Sequence, residues 1–244
     1  MTVTDMTPES ANRPVALVTG ASAGLGLALA HGLADRGWTL VIDARGADAL
    51  KDAADALAGR TEVVPLAGDV TDPEHRADLV DAVSELGRLD LLVNNASYLG
   101  PSPLQQLGAA DLDELRRVYE VDVIAPIALA QALLPALTAA SGVLLNISSD
   151  AAVEAYEGWG GYGSAKAALD HASRVLAAEH PSLAVYAVDP GDLRTAMHQA
   201  AFPGEDISDR PEPATVVPAF LRLLDSRPAS GRYRAADFAA AVAP

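Results

Sequence analysis

Residues 14–37 confine this chain to few architectures. PVALVT is a short apolar run of buried-strand type, GASAGLG is a glycine-rich turn, and LALAHGLADRG is a helical pattern closed by Gly37. Glycines let a ligand approach the backbone, and a helix start offers unbonded N–H groups at the positive end of its dipole. A strand, a turn through Gly20, Ser22, Gly24, Leu25 and Gly26, and a helix therefore make a phosphate site. The same turn can also be a plain strand-to-helix connection, so the rest of the chain has to decide.

Beyond it the alternation continues. Strands are expected at Trp38–Asp43, Glu62–Leu66, Leu89–Val93, Gly142–Ser148, Leu183–Val188 and Gly231–Ala235. Helices are expected over 47–58, over Pro73–Leu86 with Asp72 as cap, from Asp111 to about Ala140 with interruptions at Pro126 and Pro135, over Gly161–Glu179, and over Ala214–Leu224. About seven strands alternating with helices predict an α/β fold, a doubly wound parallel sheet with helices on both faces. Residues 1–13 read as a loose tail and 14–244 as one domain, with the irregular, Pro- and Gly-rich stretch 192–213 as a candidate substrate lid.

One stretch carries chemistry. SDAAVEAYEGWGGYGSAK, residues 149–166, ends in a tyrosine and a lysine four positions apart, Tyr162 and Lys166, on one helix face. An ammonium nearby favours the phenolate and lowers the phenol's pKa, so the pair can act as a general acid/base. Ser149 follows an apolar run and could donate to a substrate carbonyl. Such a Tyr–Lys spacing also occurs on helices without any chemistry.

With no cysteine there is no disulfide, thiolate metal site or cysteine nucleophile, which fits a cytoplasmic protein. A formal charge of -16 disfavours nucleic acid and anionic membranes. No apolar run is expected to reach the length of a bilayer span, and the five histidines form no metal constellation.

Taken in order, Thr19-Gly20-x-x-x-Gly24-x-Gly26, Asp69-Val70, Asn94-Asn95-Ala96, Ser149, Tyr162-x-x-x-Lys166 and Pro190-Gly191 with Thr195 closely resemble the short-chain dehydrogenase/reductase family, over about Val15 to Met197. The resemblance implies a Rossmann-type sheet with its ligand crevice at the strands' C-terminal ends. It implies that Gly20, Gly24 and Gly26 shape a pyrophosphate turn and that Asp69 and Val70 lie against an adenine. Asn95 would support the central sheet and Ala96 border the cofactor. Pro190, Gly191 and Thr195 would flank the nicotinamide. Lys166 would also hold the ribose hydroxyls, Ser149 orient the carbonyl, and Tyr162 pass the proton.

The cofactor implied is NADP(H), with NAD(H) left open. The family's acidic residue for NAD would fall at Ala44, and Arg45 follows as a cation suited to a 2′-phosphate. A one-residue shift would instead place Asp43 there, and Ala23 stands where many NADP enzymes carry a second basic residue.

Three positions depart from the family pattern. Asp122 replaces the asparagine that serves as a fourth catalytic residue, Ser97 replaces a glycine, and Gly231-Arg-Tyr-Arg replaces a glycine-rich finish. Either activity survives, because the family uses a backbone carbonyl at that position to hold a relay water, or the carboxylate impairs the relay. The pocket is expected to be lined by Ser97, Tyr98, Tyr156 and Trp159 within 154–159, and by Met197 and Phe202, for an apolar or ring-bearing carbonyl compound or alcohol. His198 is expected to be a solvated lid side chain. Pairing of the long helix and the Tyr162 helix across a two-fold axis gives a homodimer or homotetramer. Two other functions remain open at this point: a nucleotide-binding regulatory protein without turnover, and an NAD-dependent alcohol dehydrogenase.

Overall fold

The computed structural model describes residues 13–239; most of the expected N-terminal tail, residues 1–12, lies outside it. Seven parallel strands form one sheet in the order β3-β2-β1-β4-β5-β6-β7. They are β1 (Val15–Val18), β2 (Thr39–Ala44), β3 (Val63–Ala67), β4 (Leu91–Asn94), β5 (Val143–Ile147), β6 (Ala184–Asp189) and β7 (Gly231–Arg234). The helices are α1 (Gly24–Ala34), α2 (Ala47–Ala58), α3 (Pro73–Leu86), α4 (Leu112–Tyr119), α5 (Ala125–Ala139), α6 (Gly160–Glu179), α7 (Ala196–Ala201) and α8 (Val217–Ser226).

Side chains alternate across each strand, so the central strands feed two cores. Ala16, Val18, Leu40, Ile42, Leu91 and Val93 pack with Leu29 and Leu33 of α1, Leu50 and Leu57 of α2, and Phe220 and Leu223 of α8. Val15, Leu17, Val41, Leu92 and Leu144 pack with Leu79 and Val83 of α3 and Leu129, Leu133 and Leu137 of α5. Both faces are covered, which explains why the strands read as unbroken apolar runs. Pro65 sits in β3, which has a neighbour on one side only, where a missing N–H is tolerated.

Two expectations about the long helix are corrected. Neither proline ends it: Pro126 lies in the first turn of α5, directly after a π-helical turn, and Pro135 lies inside the helix. The irregularity is a π-helical turn, Glu120–Ile124, with Asp122 at its centre. The continuous stretch Leu112–Ala139 is also long and apolar enough, by length and composition, to cross a bilayer, and half of its most apolar window is buried in the fold. In 192–213, expected to be irregular, α7 forms a short helix capped by Thr195, whose Oγ1 accepts from the His198 N–H at 3.1 Å.

Strand order reverses between β1 and β4, and the chain leaves both strands into one crevice. Asn95 braces this point: its side-chain amide donates to the carbonyls of Thr19 at 2.8 Å and Gly20 at 3.1 Å. The Thr19 hydroxyl in turn accepts the N–H groups of Asn95 and Ala96, both at 3.0 Å. Gly20 has φ +65°, and a Cβ on Gly26 would stand 2.4 Å from both Asn95 Nδ2 and the Gly20 oxygen. Gly26→Ala should therefore destabilise the fold by about 1–3 kcal/mol through overpacking at this brace. Urea denaturation measures it; an unchanged midpoint would show that the turn has room to yield.

Candidate active site

The first turn of α6 carries Tyr162, and Lys166 lies one turn further on the same buried face. Lys166 is 2% exposed and Asp122 fully buried, with Lys166 Nζ 3.0 Å from Asp122 Oδ1. Nζ also donates to the Ile147 carbonyl at 3.0 Å. Asp122 Oδ1 additionally accepts the Ser97 hydroxyl, and Oδ2 accepts the Tyr98 N–H at 3.1 Å. The Asp122 carboxylate itself thus reaches the lysine.

Burial pushes the Tyr162 phenol above its ordinary pKa. Lys166 pulls it down, Asp122 pushes it up, Ser97 pulls it down, and the net direction is upward. Burial works against the Lys166 ammonium, but Asp122, Tyr162 and Asp170 outweigh it, so the lysine stays charged.

A cavity of about 300 Å³ brings Ser149, Tyr162 and Lys166 together with Gly20, Gly24, Leu25, Asn95, Ala96, Pro190, Gly191 and Thr195. A second groove continues from it past Gly20, Ser22, Arg45, Val70, Ala96 and Ser97. Asp69 lies beside Val70, and its Oδ1 accepts from Thr71 N–H at 2.9 Å. Burial raises the Asp69 pKa, but the Thr71 hydrogen bonds, Arg45 and Arg117 together bring it below the ordinary value.

Asp43 is 1% exposed and turned inward: Oδ1 accepts the Gly20 N–H at 3.0 Å and Oδ2 pairs with His75 Nε2 at 2.9 Å. The hydrogen bond to Asp43 raises the His75 pKa, against burial. Asp43 therefore supports the glycine turn from beneath, while Arg45 is exposed at the groove.

Of the expected pocket residues, Ser97, Trp159 and Met197 line the cavity. Three differ. Tyr98 turns away, donating its hydroxyl to Glu114 at 2.6 Å with the Arg117 guanidinium 4.6 Å above its ring. Tyr156 is 47% exposed and donates to Asp150 Oδ2 at 3.0 Å. Phe202 stands behind the lining, its ring 6.0 Å from Trp159 and 4.9 Å from His198. His198, expected in solvent, has a side chain only 10% exposed because it packs on Phe202.

Several residues of the site carry no recognisable signal in the sequence. Asp150 adjoins Ser149 and lines the cavity. Arg232 of β7 donates to the Ser149 carbonyl at 2.9 Å and pairs with Asp170 at 2.9 Å. Asn94, Asn146 and Ser173 form a buried chain, at 2.7 and 2.8 Å, that fixes α6 against β4 and β5. Asn94 belongs to the Asn94-Asn95-Ala96 motif, whereas Asn146 is marked only as a polar residue in an apolar strand.

Known proteins resemble this chain in sequence and in fold. The sequence pattern of the short chain dehydrogenase family matches residues 14–206. Rat (Rattus norvegicus) sepiapterin reductase is 35% identical over 201 residues, 77% of each chain. A short chain dehydrogenase from Shigella flexneri 2a str. 301, complexed with NADP, superposes with a TM-score of 0.86 at 31% identity, covering 92% of this chain and 98% of that one. An alcohol dehydrogenase from the archaeon Thermococcus sibiricus, complexed with 5-hydroxy-NADP, gives 0.82 at 26% identity, covering 91% and 96%.

The Lys166–Asp122 pair makes a stability prediction. Asp122→Ala leaves a buried ammonium without its counter-charge and should cost about 3–5 kcal/mol. Asp122→Asn removes the same counter-charge but keeps an acceptor for Ser97 and Lys166, so it should be destabilising and lose less than Asp122→Ala. Denaturant titrations of the two variants check the order; equal small losses would mean that the pair is not structural.

Proposed function

The chain belongs to the short-chain dehydrogenase/reductase family, and from that membership we propose that it is an NADP(H)-dependent carbonyl reductase, interconverting a carbonyl and an alcohol with Tyr162 as general acid/base. The observation that carries this reading is the convergence of Ser149, Tyr162 and Lys166 on one cavity at the crevice between β1 and β4.

The residues present fit the cofactor. Gly20 and Gly26 keep the turn clear of side chains. Arg45 forms no ion pair among the described residues, and with Arg117 it acts on the same two groups, Asp69 and Tyr98. The exposed Arg45 guanidinium at the groove suits a phosphate ester, whereas Asp43 is already engaged within the fold. Hydride donation and uptake are the chemistry that NADP(H) supplies when bound.

The chain's own residues do the rest. Ser149, whose single hydroxyl proton is given to Asp150 in this structure, turns it to the carbonyl oxygen and sets its place. Tyr162 gives that oxygen its proton in reduction and removes it in oxidation. Lys166 stabilises the phenolate left behind, and Asp122 holds Lys166 while tempering its field. Trp159, edge-on to Tyr162 with ring centroids 5.9 Å apart, gives the substrate side an aromatic wall. Exposed Ile124 on the long helix and Val175 on α6 support burial of these helices against a second copy.

NADPH should bind at least about tenfold more tightly than NADH, and Arg45→Ala should erase most of that difference. Mixing the NADPH-loaded protein with aldehydes, ketones and diketones should oxidise the cofactor, and Tyr162→Phe should slow this by about 10²–10⁴-fold without weakening NADPH binding. Tight binding with no turnover of any carbonyl would sink the enzyme reading and leave a nucleotide-binding protein. NADH preference would sink the role of Arg45.

Asp122→Asn should keep turnover and shift the pH profile. Removing the carboxylate removes one influence that raises the Tyr162 pKa, so the phenolate forms more readily. The acid limb of alcohol oxidation should move down by about one pH unit. A profile that stays in place with lost activity would show that the carboxylate takes part in proton transfer.

A further inference from the structure

The cavity around Ser149 and Tyr162 carries negative charge that carbonyl reduction does not require. Asp150, Asp189 and Asp192 line it, and Lys166 is the one Lys or Arg side chain among its lining residues. Lys166 is matched by Asp122. Asp189 is matched as well, with Arg232 at 3.5 Å and the Gly191 N–H at 2.9 Å. Asp192 stands at the rim, 59% exposed, facing Arg210 at 3.7 Å and His198 at 3.9 Å.

Asp150 differs from both. Among the described residues no cation lies within ion-pairing distance of it. Its Oδ1 accepts the Ser149 hydroxyl at 3.0 Å and the Ala151 N–H at 2.8 Å, and its Oδ2 accepts the Tyr156 hydroxyl at 3.0 Å. An unmatched carboxylate is therefore hydrogen-bonded to the hydroxyl that receives the substrate carbonyl. The walls facing it, Leu99, Trp159, Met197 and Ala201, are apolar.

Resting on the oxidoreductase reading above, we propose that this site selects its substrate by charge, with Asp150 as the specificity-determining residue. It takes uncharged, ring-bearing carbonyl compounds such as aryl ketones, diketones and keto esters, and it rejects compounds with a carboxylate beside the reacting carbonyl. A carbonyl held by Ser149 places an adjacent carboxylate within about 6 Å of Asp150. At an effective dielectric near 20, repulsion at that range weakens binding by about tenfold or more. An ester of the same shape escapes this repulsion and keeps the contact with the aromatic wall.

The test compares phenylglyoxylate with its methyl ester, which share ring and reacting carbonyl. Calorimetric titration of the NADP⁺-loaded protein gives affinities independent of turnover, and NADPH oxidation gives kcat/KM. The ester should bind about tenfold or more tightly, with a ratio of similar size in kcat/KM. In Asp150→Asn the ester-to-acid ratio should fall to within about threefold, whatever happens to the absolute rates through Ser149. In the wild type the ratio should also narrow as salt rises from about 20 mM to about 500 mM. Equal binding of acid and ester overturns the proposal. So does a ratio that neither Asp150→Asn nor salt changes, and so does failure of the ester to bind. Selective binding of the ester without turnover supports charge selection and overturns the carbonyl reductase reading instead.

Discussion

A lysine that is 2% exposed is costly to charge unless it is paired, and here the floor of the site pairs it with Asp122. Asp122 stands at the centre of the π-turn at 120–124, which carries its fully buried carboxylate beside Nζ. The same carboxylate holds Ser97 and the backbone of Tyr98, so the exit of β4 is fixed by the bond that fixes α6. Beneath it, Asn94, Asn146 and Ser173 pin α6 to the sheet. The position of Tyr162 thus follows from buried polar contacts on both sides of its helix. The opposing pulls of Lys166 and Asp122 leave burial to decide that the phenol lies above its ordinary range.

Much of this was legible in the sequence, for physical reasons. Helices α2 and α3 have the boundaries that their periodicity and the Asp72 cap predict. The seven strands are the seven apolar or alternating runs, within two residues at either end. What escaped reading lacks a local signal. A π-turn has no residue code, and the nearby prolines drew attention instead. At six residues α7 is too short for a periodic pattern, and Thr195 is its cap only once the chain turns there. Asp43 was ambiguous because β2 is buried on both faces and its sequence does not alternate. Only the packed structure shows its carboxylate beneath Gly20 and against His75. Tyr156 and Phe202 were assigned to the pocket by proximity in sequence, but one supports Asp150 and the other backs Trp159.

The departures at Asp122 and at the chain's last strand meet on α6, where Asp122 holds Lys166 and Arg232 holds Asp170. Arg232 stands in place of a glycine-rich finish and joins the Ser149 carbonyl, Asp170 of α6 and Asp189 of β6. Ser149, the helix carrying Tyr162 and the strand end before Pro190 are therefore held by one guanidinium. An arginine has the donors to serve three partners at once; a glycine at that position would leave Asp170 and Asp189 as buried carboxylates without a cation.

Charge is distributed along the groove in a way that the bulk composition conceals. With 33 acidic and 17 basic side chains, most cations are consumed by nearby carboxylates or carbonyl oxygens. Arg45 and Arg117 remain without an ion pair among the described residues, and both act on Asp69 and Tyr98 at the glycine-turn end. At the other end the unmatched charge is the carboxylate of Asp150. A strongly acidic protein that takes a polyanionic cofactor has to keep cations where phosphate lies, and it can let negative charge stand where the substrate enters. The same polarity then orients an elongated anionic ligand and turns smaller anions away from the reacting end, using two sets of charges on one groove and no moving part.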